Sequence, residues 1–325
     1  MNDLFAAEAA TYYGLPAIKP SLWHRLVSSY MFVSGVGGSA QVIAAIADLA
    51  DPECLATVVR DGRYIAFASA VIGAPLLIID LHTPQRFYNM LRIFRKTSPM
   101  SIGTWVLMSF GSLSATLAAA QFASDRGYAL SPKVRGAIKL LQCFAALTGM
   151  AMTTYTGALL SATSNPVWAA APRTIAGAFG ASAMASGAAA LTIAQQRRGT
   201  ADGAGRALDR IGLMASAIQL VLLVCLRSRL RQGALDETLN ETGWGLAYDC
   251  GAVALGAAVP IVHYAQAARE PECAPRNKFV ISLAVLAGSF LLRHILLEAG
   301  NAAAGRPRDY FRFAGGDRAE KQALQ

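Results

Sequence analysis

The segment IGTWVLMSFGSLSATLAAAQFA, residues 102–123, contains no charged side chain. A helix crosses the hydrocarbon core of a bilayer with about 20 mostly apolar residues, so this segment predicts a transmembrane helix. The whole chain has a matching composition, since 54% of its 325 residues are hydrophobic and only 15% are charged. Soluble domains carry about 25% charged residues, and the composition therefore indicates an integral membrane protein.

Eight segments in all satisfy the length and hydropathy of a span, which predicts an all-α fold with eight transmembrane helices. Gly, Ala and Ser are abundant in them, as expected where helices pack closely in lipid. The glycines of SGVGGS, residues 34–39, lie within a span, which argues against a phosphate-binding loop. The membrane domain covers residues 26–300, between an N-terminal tail (1–25) and a C-terminal tail (301–325). The predicted spans are roughly 26–47, 64–81, 102–123, 137–161, 173–194, 207–226, 244–266 and 279–300.

Charge and cysteine content exclude several classes of binding site. Five cysteines without a CxxC pair exclude an iron–sulfur or zinc site built from local cysteine motifs. The net charge of +9 fits basic loops that face anionic lipid or partner subunits, and we expect no nucleic acid. An even number of spans places both termini on one side, which holds fifteen Lys and Arg against thirteen opposite. This bias predicts a cytoplasmic N-terminus in a bacterial-type inner membrane.

One loop has an unusual composition. In IIDLHTPQRFYNMLRIFRKTSPMS, residues 78–101, an apolar run ends on Asp80 and His82, and cations then alternate with aromatic residues. We expect the cations to form a docking surface for a partner. An amphipathic interfacial helix that binds lipid headgroups is the alternative. The cations are Arg86, Arg92, Arg95 and Lys96.

Ionisable and hydrogen-bonding residues gather on the face of the membrane that holds the termini. Such residues are costly within spans and mark functional sites. Each also has a structural explanation, such as an interfacial anchor for His24, a turn cap for Asp80 and an aromatic-belt position for Tyr155. Their convergence predicts a polar pocket at this face. The residues concerned are His24, Asp80, Tyr155, Arg293, His294 and Glu298.

A quinone suits such a pocket, because its tail is apolar while its two carbonyl oxygens need hydrogen bonds. Its redox reaction moves two protons with two electrons, and His, Tyr and Asp side chains bind carbonyls and relay protons. A haem held by two histidines is an alternative. Its candidate ligands, His24 and His82, lie at span ends, which disfavours it.

Three segments resemble the NrfD/PsrC family, the membrane subunits of polysulfide reductase and related molybdenum–iron–sulfur oxidoreductases. The resemblance covers most of the chain, and the run from Asp80 is its most specific part. Where the family reads roughly DLGRP, this chain has DLHTP, so His82 and Thr83 depart from the pattern. The segments are DLHTPQRFYNMLRIFRKTSPMSIGTWVL (80–107), YMFVSGVGGSA (30–40) and YTGALLSATSNPVW (155–168).

The resemblance implies two four-helix bundles and a quinone or quinol site formed by His24, Asp80 and Tyr155. It also implies that the subunit has no haem or iron–sulfur cluster of its own and is not catalytic alone. Electrons would pass between the quinone and an iron–sulfur partner, which contacts a molybdopterin catalytic subunit. Apart from the resemblance, the ionisable residues Arg293, His294 and Glu298 are the candidates for proton movement coupled to quinone turnover, and simple quinone exchange without proton translocation is the favoured alternative.

Two other functions remain open from the sequence. A secondary transporter would show broken helices and ionisable groups near the midplane, whereas here these groups cluster at one face. An assembly or anchor protein would keep the fold without binding quinone.

Overall fold

The structure is a computed structural model that describes residues 18–81, 83–199, 202–233, 235–269 and 277–311. Eight of its helices are long and apolar enough to span a membrane, which confirms the predicted number and order of spans. No strand occurs within these described ranges. The spans are α1 Arg25–Ala50, α2 Ala56–Ile79, α3 Pro99–Asp125, α4 Pro132–Ser161, α5 Pro172–Arg198, α6 Asp202–Gln232, α7 Trp244–Arg269 and α8 Lys278–Ala304.

Short elements connect the spans on the face where α1 begins and α8 ends. The middle of α7, Tyr248–Ala258, is a π-helix. His82, residues 1–17 and residues 312–325 lie outside the described residues, so the predictions made for them stay predictions. The short connecting elements are the turn Pro84–Arg86 and the helices Asn89–Arg92, Pro166–Ala169 and Asp236–Glu241.

Local sequence explains where several spans begin. Pro99 and Pro132 occupy the first positions of α3 and α4, where a missing backbone N–H costs no hydrogen bond. The hydroxyl of Ser98 accepts from the N–H of Ser101 at 3.4 Å, and Ser131 caps α4 in the same way. These caps fix the register of α3 and α4, which both contribute to the site described below.

Helix α1 lies at the centre of the assembly and contacts α2, α4, α5 and α8. Its glycines allow close approach, because a Cβ on Gly38 would lie 2.6 Å from the carbonyl oxygen of Gly149 in α4. Helix α5 in turn packs against α4, α6 and α8. The spans are therefore in continuous contact, and their division into two four-helix bundles stays a prediction.

Helix α2 begins about two turns earlier than predicted, at Ala56. Asp61 and Arg63 lower the hydropathy of this part of the sequence, yet both side chains are buried. A guanidinium nitrogen of Arg198 pairs with Asp61 at 2.8 Å, and Arg63 Nε donates to the amide oxygen of Gln142 at 3.0 Å. Partners on other spans thus satisfy the charges and allow the helix to continue through them.

Replacement of Gly149 by Ala should destabilise the membrane domain by about 1–3 kcal/mol, because the new Cβ forces α1 and α4 apart. Gly136→Ala is the matched control, since a Cβ at Gly136 of the same helix meets nothing within 4 Å. Thermal unfolding of both variants in detergent measures the difference. Equal unfolding temperatures would contradict the close packing of α1 and α4.

Candidate functional site

A cavity of about 210 Å³ lies at the membrane face where α1 and α3 begin and where α2 and α4 end. Its wall is mainly apolar, and the acid Asp80 and the phenol of Tyr155 are among its polar groups. The structure thus brings together two of the three residues predicted for quinone binding. The full lining is Leu22, Trp23, Val27, Tyr30, Met31, Leu77, Asp80, Leu81, Met90, Met100, Gly103, Thr104, Tyr155 and Leu159.

Tyr155 lies in the last two turns of α4 and points toward the start of α3. Its hydroxyl donates to the backbone carbonyl of Pro99 at 3.0 Å. The ring packs over Gly103, where any Cβ would overlap it. Gly103 is therefore a site residue that sequence reasoning missed, because its role depends on a contact with a distant helix.

Asp80 follows the last residue of α2, and its backbone N–H donates to the carbonyl of Leu76 at 3.3 Å. Thr83, which is not helical, and then Pro84 follow, and a residue before proline is disfavoured in the helical conformation. The helix therefore ends at the membrane face and leaves the half-buried carboxyl of Asp80 in the cavity wall.

The first turns of α1 form another part of the cavity wall. Tyr30, only 4% exposed, is a second tyrosine in the lining that the sequence analysis did not single out. Trp23 also lines the cavity, and its ring stacks on Trp168 with 6.3 Å between ring centroids. The amide of Asn301 in α8 donates to the carbonyl of Trp23 at 2.9 Å, which anchors this wall to the last span.

His24 lies at the start of the first span, as predicted, but outside the cavity wall. It precedes the first residue of α1, its side chain is exposed, and it is absent from the described residues that line the cavity. Its neighbours Leu22 and Trp23 line the cavity instead. The role assigned to His24 stays a prediction, and the geometry gives it less support than Asp80 or Tyr155.

The basic loop, which is the connection between α2 and α3 that carries Arg86, Arg92, Arg95 and Lys96, lies beside the cavity. Met90 of this loop contributes to the cavity wall. Ser101 ties the loop to α3, since its hydroxyl accepts from the N–H of Arg95 at 3.0 Å and donates to the carbonyl of Ile93 at 3.2 Å. Of the predicted interfacial helix, Asn89–Arg92 form one α-helical turn and Pro84–Arg86 form one 3₁₀ turn.

The loop presents cations and large apolar side chains together. Phe87, Tyr88, Ile93 and Phe94 are 40–58% exposed. The four predicted docking cations are also exposed, and none of them makes an ion pair with an acid in the described part of the chain. The loop therefore offers exposed positive charge and apolar surface to a partner. These cations are Arg86, Arg92, Arg95 and Lys96.

Arg293 is fully buried near the middle of α8. Its guanidinium donates to the carbonyl oxygens of Met31, Phe179 and Ser289 at 2.9–3.1 Å, and to the hydroxyls of Ser289 and Ser182 at 2.5 and 3.3 Å. Glu298 of the same helix forms no ion pair with Arg293 in the described part of the chain.

His294 faces a different side of α8 from Arg293. Its Nδ1 lies 3.2 Å from the hydroxyl of Ser28 in α1, and its ring stacks on Phe290. Glu298 is half-buried one turn further along α8. The three predicted proton-relay residues therefore share one helix but do not form a single hydrogen-bonded group, and their role in proton movement stays a prediction.

The sequence matches the profile of the family described as "Polysulphide reductase, NrfD" over residues 16–304. It is also 24% identical over 322 residues to the Haemophilus influenzae protein named "Protein NrfD homolog", in an alignment that covers 89% of this chain and 97% of that protein. The profile match includes all eight spans and every described residue that lines the cavity. This chain, an integral membrane protein with eight spans, belongs to the NrfD family.

Proposed function

We propose that the protein is the quinone-reactive membrane subunit of a multi-subunit oxidoreductase. One observation carries the proposal. Asp80 and Tyr155, from different spans, line one apolar cavity beside an exposed basic and aromatic loop. This geometry suits a molecule that enters from lipid, needs polar contacts for its headgroup and reacts next to a docked partner.

Asp80 and Tyr155 have complementary chemistry for a quinone headgroup. The hydroxyl of Tyr155 donates a hydrogen bond to one quinone carbonyl after turning away from the carbonyl of Pro99. A carboxylate accepts hydrogen bonds only, so Asp80 takes a proton from a quinol hydroxyl or returns it to the reduced quinone. Tyr30, Trp23 and the methionine side chains exclude water and contact the ring faces.

The basic loop is the proposed contact with an iron–sulfur subunit, which exchanges electrons with the bound quinone. That subunit passes electrons to or from a molybdopterin subunit, where the terminal reaction takes place. Exposed cations next to apolar side chains favour a partner with acidic groups around an apolar patch. Proton movement coupled to quinone turnover would pass through α8, with Arg293, His294 and Glu298 as candidates.

Tyr155→Phe and Asp80→Asn should each slow quinone turnover by about 10²-fold, because each removes a proton-transfer or hydrogen-bonding group. Turnover is measured on the purified complex with a soluble quinol analogue. Tyr128→Phe is the control, since Tyr128 is 70% exposed at the opposite membrane face. Wild-type rates in both cavity variants would exclude the cavity as the reaction site.

Gly103→Ala should lower quinone turnover, because the added Cβ overlaps the ring of Tyr155 and displaces it. Gly111→Ala on the same helix is the control, since a Cβ there meets only Ala70 at 3.8 Å. The quinone turnover rate of Gly103→Ala is compared with that of Tyr155→Phe in the same assay. If both glycine variants keep the wild-type rate, the position of the Tyr155 ring does not limit the reaction.

Removal of the loop charges should release the partner subunits. Four substitutions by Gln at the docking cations are compared with four on the opposite face, and iron, molybdenum and quinone are assayed in affinity-purified samples. We expect iron and molybdenum to be lost only from the loop variant. Equal metal content in both samples would contradict the docking role. The loop positions are Arg86, Arg92, Arg95 and Lys96, and the control positions are Arg126, Lys133, Arg135 and Lys139.

A further inference from the structure

Arg293 is a buried charge whose hydrogen-bond partners are all neutral. Its side chain is 0% exposed, and backbone carbonyls and serine hydroxyls of α1, α5 and α8 accept its hydrogen bonds. Its guanidinium also lies over the ring of Phe179, 5.1 Å from the ring centroid. Carbonyl and hydroxyl dipoles lower the cost of burying the charge, but they do not cancel it. Arginine stays protonated in proteins, so the charge is permanent.

No carboxylate of the described residues pairs with this charge. The other buried arginine, Arg63, lies 3.6 Å from the carboxylate of Asp48. A charge within a bilayer is costly and is normally paired or set beside a water-filled path. Arg293 therefore keeps an uncompensated positive charge inside the protein, where little water screens it.

Met31 connects this charge to the cavity. Its side chain lines the cavity, and its carbonyl accepts from Arg293 Nε at 3.1 Å. The guanidinium also lies against Gly35 one turn further along α1, where a Cβ would be 2.8 Å from Nη2. The guanidinium and the cavity thus share Met31 of α1 as a common neighbour. In this medium of low dielectric constant, the field of the charge extends into the cavity.

We propose that Arg293 stabilises the anionic, one-electron-reduced form of the quinone in the cavity, an inference that rests on the function proposed above. A reduced iron–sulfur cluster of the partner gives one electron to the quinone and becomes oxidised, and the product is the semiquinone anion. A second electron and two protons complete the quinol, and the same steps run backwards in quinol oxidation. Arg293 favours the intermediate through the field of its positive charge.

Other nearby charges act differently on the cavity. The carboxyl of Asp80 lies in the cavity wall, and when ionised it disfavours an anionic occupant. The loop cations are exposed to solvent, so water and salt screen them. Among the described residues that contact the cavity lining, Arg293 is thus the buried cation whose field opposes that of Asp80.

The sharpest test cancels the charge while Arg293 stays in place. Ser289→Asp places a carboxylate where Ser289 Oγ now lies, 2.5 Å from Arg293 Nη1, and Ser289→Asn gives a side chain of nearly the same shape without charge. The assembled complexes are titrated with redox mediators, and the semiquinone is followed by electron paramagnetic resonance. We expect roughly a tenfold lower maximal semiquinone signal in Ser289→Asp, whereas Ser289→Asn keeps the wild-type signal.

A second pair of variants covers the case in which the buried carboxylate prevents folding. Arg293→Lys keeps the charge and loses the planar fork, whereas Arg293→Gln keeps a donor and loses the charge. Arg293→Gln should therefore give a lower semiquinone signal than Arg293→Lys. Equal semiquinone signals in the two members of an assembled pair would overturn the inference. A wild-type complex that holds no quinone would instead refute the proposed function.

Discussion

The absence of water in the bilayer core is the constraint on which this structure depends. Every backbone polar group within a span needs a partner from the protein, and the buried charge of Arg293 is likewise bound by acceptors from α1, α5 and α8. Its hydrogen bonds join helices that are far apart in the sequence at the centre of the protein. Because the bonds have a fixed geometry, they also fix how closely the three helices approach.

The glycines of α1 follow from the same constraint. Gly35 leaves room for the guanidinium of Arg293, Gly37 for the side chain of Ser69, and Gly38 for the backbone of Gly149. This one glycine-rich stretch thus allows close contact with three neighbouring helices, α8, α2 and α4. Tyr30 and Met31 lie about one turn before it, so the packing that positions the centre of α1 also positions one wall of the cavity.

The sequence predicted all eight spans, since apolar length is a property of the sequence itself. It missed the start of α2, because Arg63 is satisfied by Gln142, which is 79 residues away. The convergence of Asp80 and Tyr155 was predicted from the alternating direction of the spans. Gly103 was missed because a glycine among small residues gives no signal of the ring that packs on it.

The topology explains why one membrane face holds the site. Helices with even numbers end at the face where helices with odd numbers begin, so Asp80 after α2, Tyr155 near the end of α4 and Pro99 at the start of α3 meet there. The loop between α2 and α3 leaves from the same place and cannot lie far from the cavity. A partner bound to that loop therefore comes close to the cavity without any rearrangement of the spans. The cavity and the loop proposed as a docking surface thus both arise from the connection between α2 and α3.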